Sequence, residues 1–185
     1  MAEGGINNVT TGGGDFAGRD MNKIQVTFSV GNIKELYKRF EDERRHNKQF
    51  DTILHELDVF QRQKANETVI GLEAKLRAAN KPDELIDLAR ELKEEYAKKL
   101  EKNKYFESAQ RINIYLLGYA RTQFMFNVYP AINKGNSDDV VTALMNQYVI
   151  QPMLGMLEGD TYGFTPQDIY GILYFLTGNC FIKWV

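Results

Sequence analysis

The sequence is short of the residues that build most active sites. It has one cysteine, Cys180, and two histidines, His46 and His55, in 185 residues. A single cysteine excludes an intramolecular disulfide, and so few Cys and His leave no zinc-finger spacing. The stretch "HELDVF" opens like a zinc-protease helix, but Val59 stands where the second histidine is required. No apolar run reaches the length of a membrane span. The nearest approach, 112–128, contains Asn113, Arg121, Gln123 and Asn127 and reads as a buried core helix. The net charge of −2 supplies no overall attraction to nucleic acid or to an anionic membrane. The N-terminus is Gly/Asn-rich rather than basic then apolar, so no secretory signal is expected. With the lone cysteine, that points to a reducing, cytoplasmic compartment.

Glycine, by contrast, crowds "TGGGDFAGRD", 11–20. Gly13, Gly18 and Arg19 approximate a Walker loop, and Gly12, Gly14 and Ala17 a dinucleotide fingerprint. The chemistry of both fails. Arg19 and Asp20 occupy the places of the Lys and the Ser/Thr, and a carboxylate there repels phosphate and offers no hydroxyl to magnesium. Both loops must also follow a strand and open a helix, whereas here a strand-like segment follows. No cofactor, no bound metal and no phosphate cradle are expected.

Residues 1–22 are poor in apolar side chains and form a leader that is disordered or ordered by assembly. "IQVTFSV", 24–30, alternates cleanly, with Ile24, Val26, Phe28 and Val30 on one face, and predicts a half-buried strand. Helical patterns follow. They cover about 33–64 with a break in the charged "EDERRHNK", then 67–79, then a helix opened by Pro82. The next covers 106–132, another runs from Ser137 to before Gly159, and the last runs from Thr165 as N-cap, with Pro166 and Asp168, to 177–178. The closing "NCFIKWV" suits a short strand at about 179–184. The expected fold is mainly α: a compact helical bundle over 23–185, with a short N-terminal edge strand and that short C-terminal one.

Candidate chemistry is thin. Cys180 lies among Phe181, Ile182 and Trp184, an apolar setting that makes a thiol inert. The 25 carboxylates mostly alternate with Lys and Arg on solvated helix faces. The aromatics concentrate after Phe106. Tyr115, Tyr119, Phe126 and Tyr129 recur at helical spacing, in stripes that suit a core and equally suit helix–helix or subunit contacts.

"GGGDFAGRDMNKIQV" resembles the G-D-x-x-G-x-D leader of small bacterial proteins encoded beside conflict-system ATPases. "IYGILYFLTGNCFIKWV" is similar to the end of the C-terminal domains of ABC-three-component systems. Those are bacterial anti-phage modules combining an ABC-type ATPase, a small middle component and an effector-linked protein. The resemblance covers the two ends, and the middle only in its helical character; no fused effector domain is recognisable. It implies a non-enzymatic assembly or adaptor component, homo-oligomeric, docking to an ATPase or effector protein of its system. The residues singled out for assembly are Asp15, Gly18, Arg19 and Asp20 in the leader, Ile24, Val26, Phe28 and Val30 in the strand, and Phe181 and Trp184 at the C-terminus. The exposed edge of 24–30 is a template for β-augmentation.

Two other functions stay open. One is a nucleic-acid sensor built on Arg44, Arg45, Lys48, Arg62, Lys64, Lys98, Lys99, Lys102 and Lys104. The other is a toxin or effector using Asp15, Arg19, Asp20 and His55.

Overall fold

The computed structural model describes residues 33–63 and 68–185. Seven helices fill them: α1 at 33–45, α2 at His55–Gln61, α3 at Leu72–Ala78, α4 at Asp83–Asn103, α5 at 107–133, α6 at 138–156 and α7 at Pro166–Gly178. The mainly α reading holds. Thr165 is the N-cap of α7, as expected, and it forms a capping box with Asp168. Ser137 is the N-cap of α6, with Asp138 and Asp139 in its first turn. The break placed within 41–48 falls at its end, where Asn47 takes a φ of 48°. The edge strand expected at 24–30, with the leader, lies outside the described residues.

No strand forms among the described residues. Residues 179–184 instead leave α7 through a reversing turn. Cys180 is left-handed, with φ of 64°, and Phe181 N–H donates to Leu176 C=O at 2.8 Å, a Schellman-type helix end. The tail then sinks into the core. Phe181 packs on Phe60, with centroids 5.1 Å apart, and Trp184 on Phe124, at 5.2 Å. Trp184 Nε1–H donates to Thr177 Oγ1 at 2.9 Å, Asn179 Nδ2 to Phe60 C=O at 2.9 Å, and the buried Lys75 Nζ to Ile182 C=O at 3.2 Å. One short segment thereby staples α2, α3 and α5 to α7.

Helix α7 is apolar on nearly every side, as a helix wrapped by others must be; residues 168–178 are buried apart from Tyr170. Its most extensive partner is α4, and the two cross at Gly171. A Cβ there would lie 2.6 Å from Leu92 C=O and 2.8 Å from Tyr96 Cβ. Polar ties fix the remaining helices. Glu43, on α1, accepts from Ser108 N–H at 3.1 Å and Ser108 Oγ–H at 2.5 Å, capping α5. Gln110 accepts from Leu54 N–H at 2.6 Å and donates to Thr52 C=O at 2.8 Å, holding the 48–54 segment. Tyr96 O–H donates to Asn113 Oδ1, and Asn113 Nδ2 donates to Tyr162 Oη, both at 2.9 Å.

One buried side-chain polar atom among the described residues has no partner: the Tyr37 hydroxyl. Burial, then the neighbouring Asp160, pushes this phenol well above its ordinary pKa. An unsatisfied buried hydroxyl costs ~1–3 kcal/mol of desolvation. Tyr37→Phe is therefore expected to leave stability unchanged or raise it by about 1 kcal/mol. A urea melt checks this; a loss beyond ~1 kcal/mol means that the hydroxyl has a partner after all.

Candidate interaction surface

Two prolines shape the outer face of the molecule. Pro130 lies inside α5 and Pro152 inside α6. A helix-interior proline has no N–H to donate, and its ring collides with the carbonyl four residues earlier. Both helices answer with one widened turn just before the proline, at Phe124–Val128 and at Asn146–Ile150. There Tyr129 N–H reaches Phe124 C=O, and Gln151 N–H reaches Asn146 C=O, five residues back in each case. The two widened turns touch one another. The Tyr148 carbonyl, which Pro152 cannot serve, accepts instead from the Tyr119 hydroxyl at 3.4 Å. Burial, then Tyr115, pushes the Tyr119 phenol up to about 12.

The widened turn of α5 presents Phe126 to solvent at 76% exposure, while Phe124, two residues before it, is at 0%. Around Phe126 runs a continuous open face of α5. Arg111, Tyr115, Gly118, Thr122, Phe126, Pro130 and Asn133 form its spine, each exposed or half-buried. Ile114, Tyr119, Met125 and Tyr129 flank it, all half-buried. The face is rich in aromatic and apolar side chains, with Arg111 at its N-terminal end.

At its N-terminal end the face opens into a cleft of about 660 Å³. Leu36, Leu54, Ile114 and Tyr115 supply its apolar lining, and Glu35, Arg39, Glu56 and Arg111 its polar rim. Arg39 Nη2 and Arg111 Nε donate to opposite oxygens of Glu107, at 2.6 and 2.9 Å. Arg111, then Arg39, holds that carboxyl below its ordinary pKa against the opposing effect of burial.

The other sequence candidates fall as follows. Phe181 and Trp184 are 4% and 8% exposed, so in this chain their rings serve the core. Asp15, Gly18, Arg19, Asp20, Ile24, Val26, Phe28 and Val30 lie outside the described residues. Cys180 is buried, and His46 and His55 are exposed. Five basic groups of the proposed nucleic-acid surface face carboxylates: Arg45 with Glu41, Lys48 with Asp42, Arg62 with Asp58, Lys99 with Asp168 and Lys104 with Glu101. Lys64 is outside the described residues. Among the described residues no group of His, Cys, Asp and Glu has metal-holding geometry, and no helix is long and apolar enough to cross a membrane.

The family model for C-terminal domain 9 of the ABC-three-component systems matches residues 71–184. The chain belongs to that family. No curated protein and no solved structure matches it. The matched region runs from the start of α3 to Trp184, so the buried tail and the open face of α5 both belong to the ABC-three-component domain. Helices α1 and α2 and the glycine-rich leader precede it. The resemblance seen at the C-terminal stretch thus extends through the whole α3–α7 body. Of the α5 face, the sequence showed Tyr115, Tyr119, Phe126 and Tyr129. It did not show Gly118 or the widened turns, although Pro130 and Pro152 within apolar helical runs were a usable signal for the turns.

Proposed function

We propose that this ABC-three-component domain is a non-enzymatic, cytoplasmic assembly component, which self-associates and docks to the ATPase or effector protein of its system. The observation that carries this reading is Phe126, a large aromatic held out at 76% exposure on a face with few charges. Burying such a ring against a partner contributes roughly 1.5–3 kcal/mol, and Phe126 does not stand alone: half-buried Tyr115, Tyr119, Met125 and Tyr129 lie beside it on the same helix. Membership of a multi-component system supports reading the occupant as another protein. The leader and strand, from Asp15 to Val30, remain part of the proposal as a second assembly element. Comparing the molar mass of the full chain with that of a chain lacking residues 1–30 tests their share.

The test of the α5 face is co-expression of the full chain with its system's ATPase and effector proteins, followed by measured co-purification. Phe126→Asp is expected to reduce the recovered complex at least ~10-fold, the equivalent of ~1.4 kcal/mol, with unchanged helix content by circular dichroism. Recovery equal to that of the unsubstituted chain sinks this face as the interface.

A further inference from the structure

We infer that the 660 Å³ cleft beside α1 receives this chain's own segment 24–30, added as a strand along residues 50–54. The inference is independent of the Phe126 surface. It assigns the cleft, and it gives the apolar run before α1 a place to dock.

The point of chain entry carries the first part of the argument. The described chain starts at Ile33, which is buried at 0% exposure. Glu35 and Leu36, in the same turn of α1, already line the cleft. The preceding residues therefore leave from the edge of the cleft. Val30 stands five residues before Glu35, and Ile24 eleven. An extended chain covers ~3.3 Å per residue, so the whole run reaches the cleft without a linker. Gly31 and Asn32, which separate the run from α1, are turn formers. A tether this short gives the run an effective concentration of order millimolar, an advantage that a separate polypeptide lacks.

Composition and backbone chemistry match as well. The cleft is lined by Leu36, Leu54, Ile114 and Tyr115, and the alternating run supplies Ile24, Val26, Phe28 and Val30 on one face. No ionisable residue occurs between Lys23 and Lys34, so docking buries no charge. The rim arginines do not call for an anionic ligand, because Arg39 and Arg111 already share Glu107. Beside the cleft, alternate residues of the 50–54 segment are tied down. Phe50 N–H donates to Tyr105 C=O at 2.6 Å, Thr52 C=O accepts from Gln110 at 2.8 Å, and Leu54 N–H donates to Gln110 at 2.6 Å. Asp51 and Ile53, between them, have no backbone hydrogen bond among the described residues. One edge is thus held and the other is unclaimed, the arrangement that accepts a further strand.

Two measurements on the full chain test this. The first is amide hydrogen exchange at Ile53. Its N–H has no acceptor among the described residues, so protection there reports an acceptor supplied by the added strand. The combined variant Val26→Asp and Phe28→Asp is expected to speed that exchange at least ~10-fold, with helix content by circular dichroism unchanged. The second is cross-linking. Phe28→Cys with Ile114→Cys, on the cleft wall, should form a disulfide within one chain under mild oxidation. Phe28→Cys with Leu88→Cys, 47% exposed and off the cleft, should not. Cys180, 2% exposed, should not interfere.

An Ile53 amide that exchanges freely in the unsubstituted chain overturns the inference. So does protection that is indifferent to the two aspartates, which assigns the edge to something other than 24–30. A disulfide that links two chains instead of closing within one overturns it too, because the segment then fills the cleft of a second copy. None of these outcomes bears on Phe126→Asp and co-purification, so the two readings fail separately.

Discussion

Gly171→Ala is expected to destabilise the protein by about 3 kcal/mol, the upper end of overpacking costs. A single added methyl usually helps a helix, because Gly is ~1 kcal/mol worse than Ala in a helix interior. Here the sign reverses. The new Cβ would lie 2.6 Å from the Leu92 carbonyl oxygen and 2.8 Å from Tyr96 Cβ. Neither is the tip of a side chain that can swing away; one is main chain of α4 and the other is fixed to it. The two helices must move apart along the most extensive contact in the fold. For a chain of this size that corresponds to a fall in melting temperature of roughly 6–12 °C, at ~2–4 °C per kcal/mol. Gly155→Ala is the control. It is also helical but exposed, with nothing within 4 Å of the added Cβ, so it should be neutral or stabilising by ~0.5–1 kcal/mol. Equal melting temperatures for the two variants would show that α4 and α7 do not cross at Gly171.

Trp184→Ala is expected to cost about 3–5 kcal/mol, the range for truncating a buried large aromatic. The indole is 8% exposed, rests edge-on against Phe124 with centroids 5.2 Å apart, and donates to Thr177 at 2.9 Å. Its loss opens a cavity where the tail meets both α5 and α7. Thr177 stays partly satisfied, because its hydroxyl still donates to Leu173 C=O at 2.8 Å, so most of the cost is packing. Against a typical total of ~5–15 kcal/mol, such a loss is a large fraction of the stability and should show as a clear shift of the unfolding midpoint. Chemical denaturation compared with Phe126→Ala gives the sharpest contrast, since that equally aromatic residue is exposed and its truncation should stay within ~0.5 kcal/mol. If Trp184→Ala costs no more than Phe126→Ala, the tail is not part of the core.

Much of the architecture was legible before any coordinates. Thr165, Pro166 and Asp168 mark the start of α7 through interactions that span a single turn. Ser137 with its two aspartates does the same for α6. The tail was not legible. "NCFIKWV" has the composition of a strand, and a strand differs from a buried extended tail only in whether another strand lies beside it. The left-handed Cys180, at φ of 64°, turns the chain back onto α2 and α3, and nothing local announces that. Buried polar ties such as Glu43 to Ser108 were equally hidden, because their partners are distant in sequence.

Phe124 and Phe126 show where the division lies. The sequence by itself determined that both sit in an apolar helix ending near residue 133, because period, caps and turn residues act over a few neighbours. Only the tertiary structure decided that Phe124, at 0% exposure, meets Trp184 while Phe126, at 76%, faces outward. A widened turn before Pro130 and the arrangement of the surrounding helices set that outcome. The face that a side chain presents depends on residues far away along the chain, which no local pattern can encode.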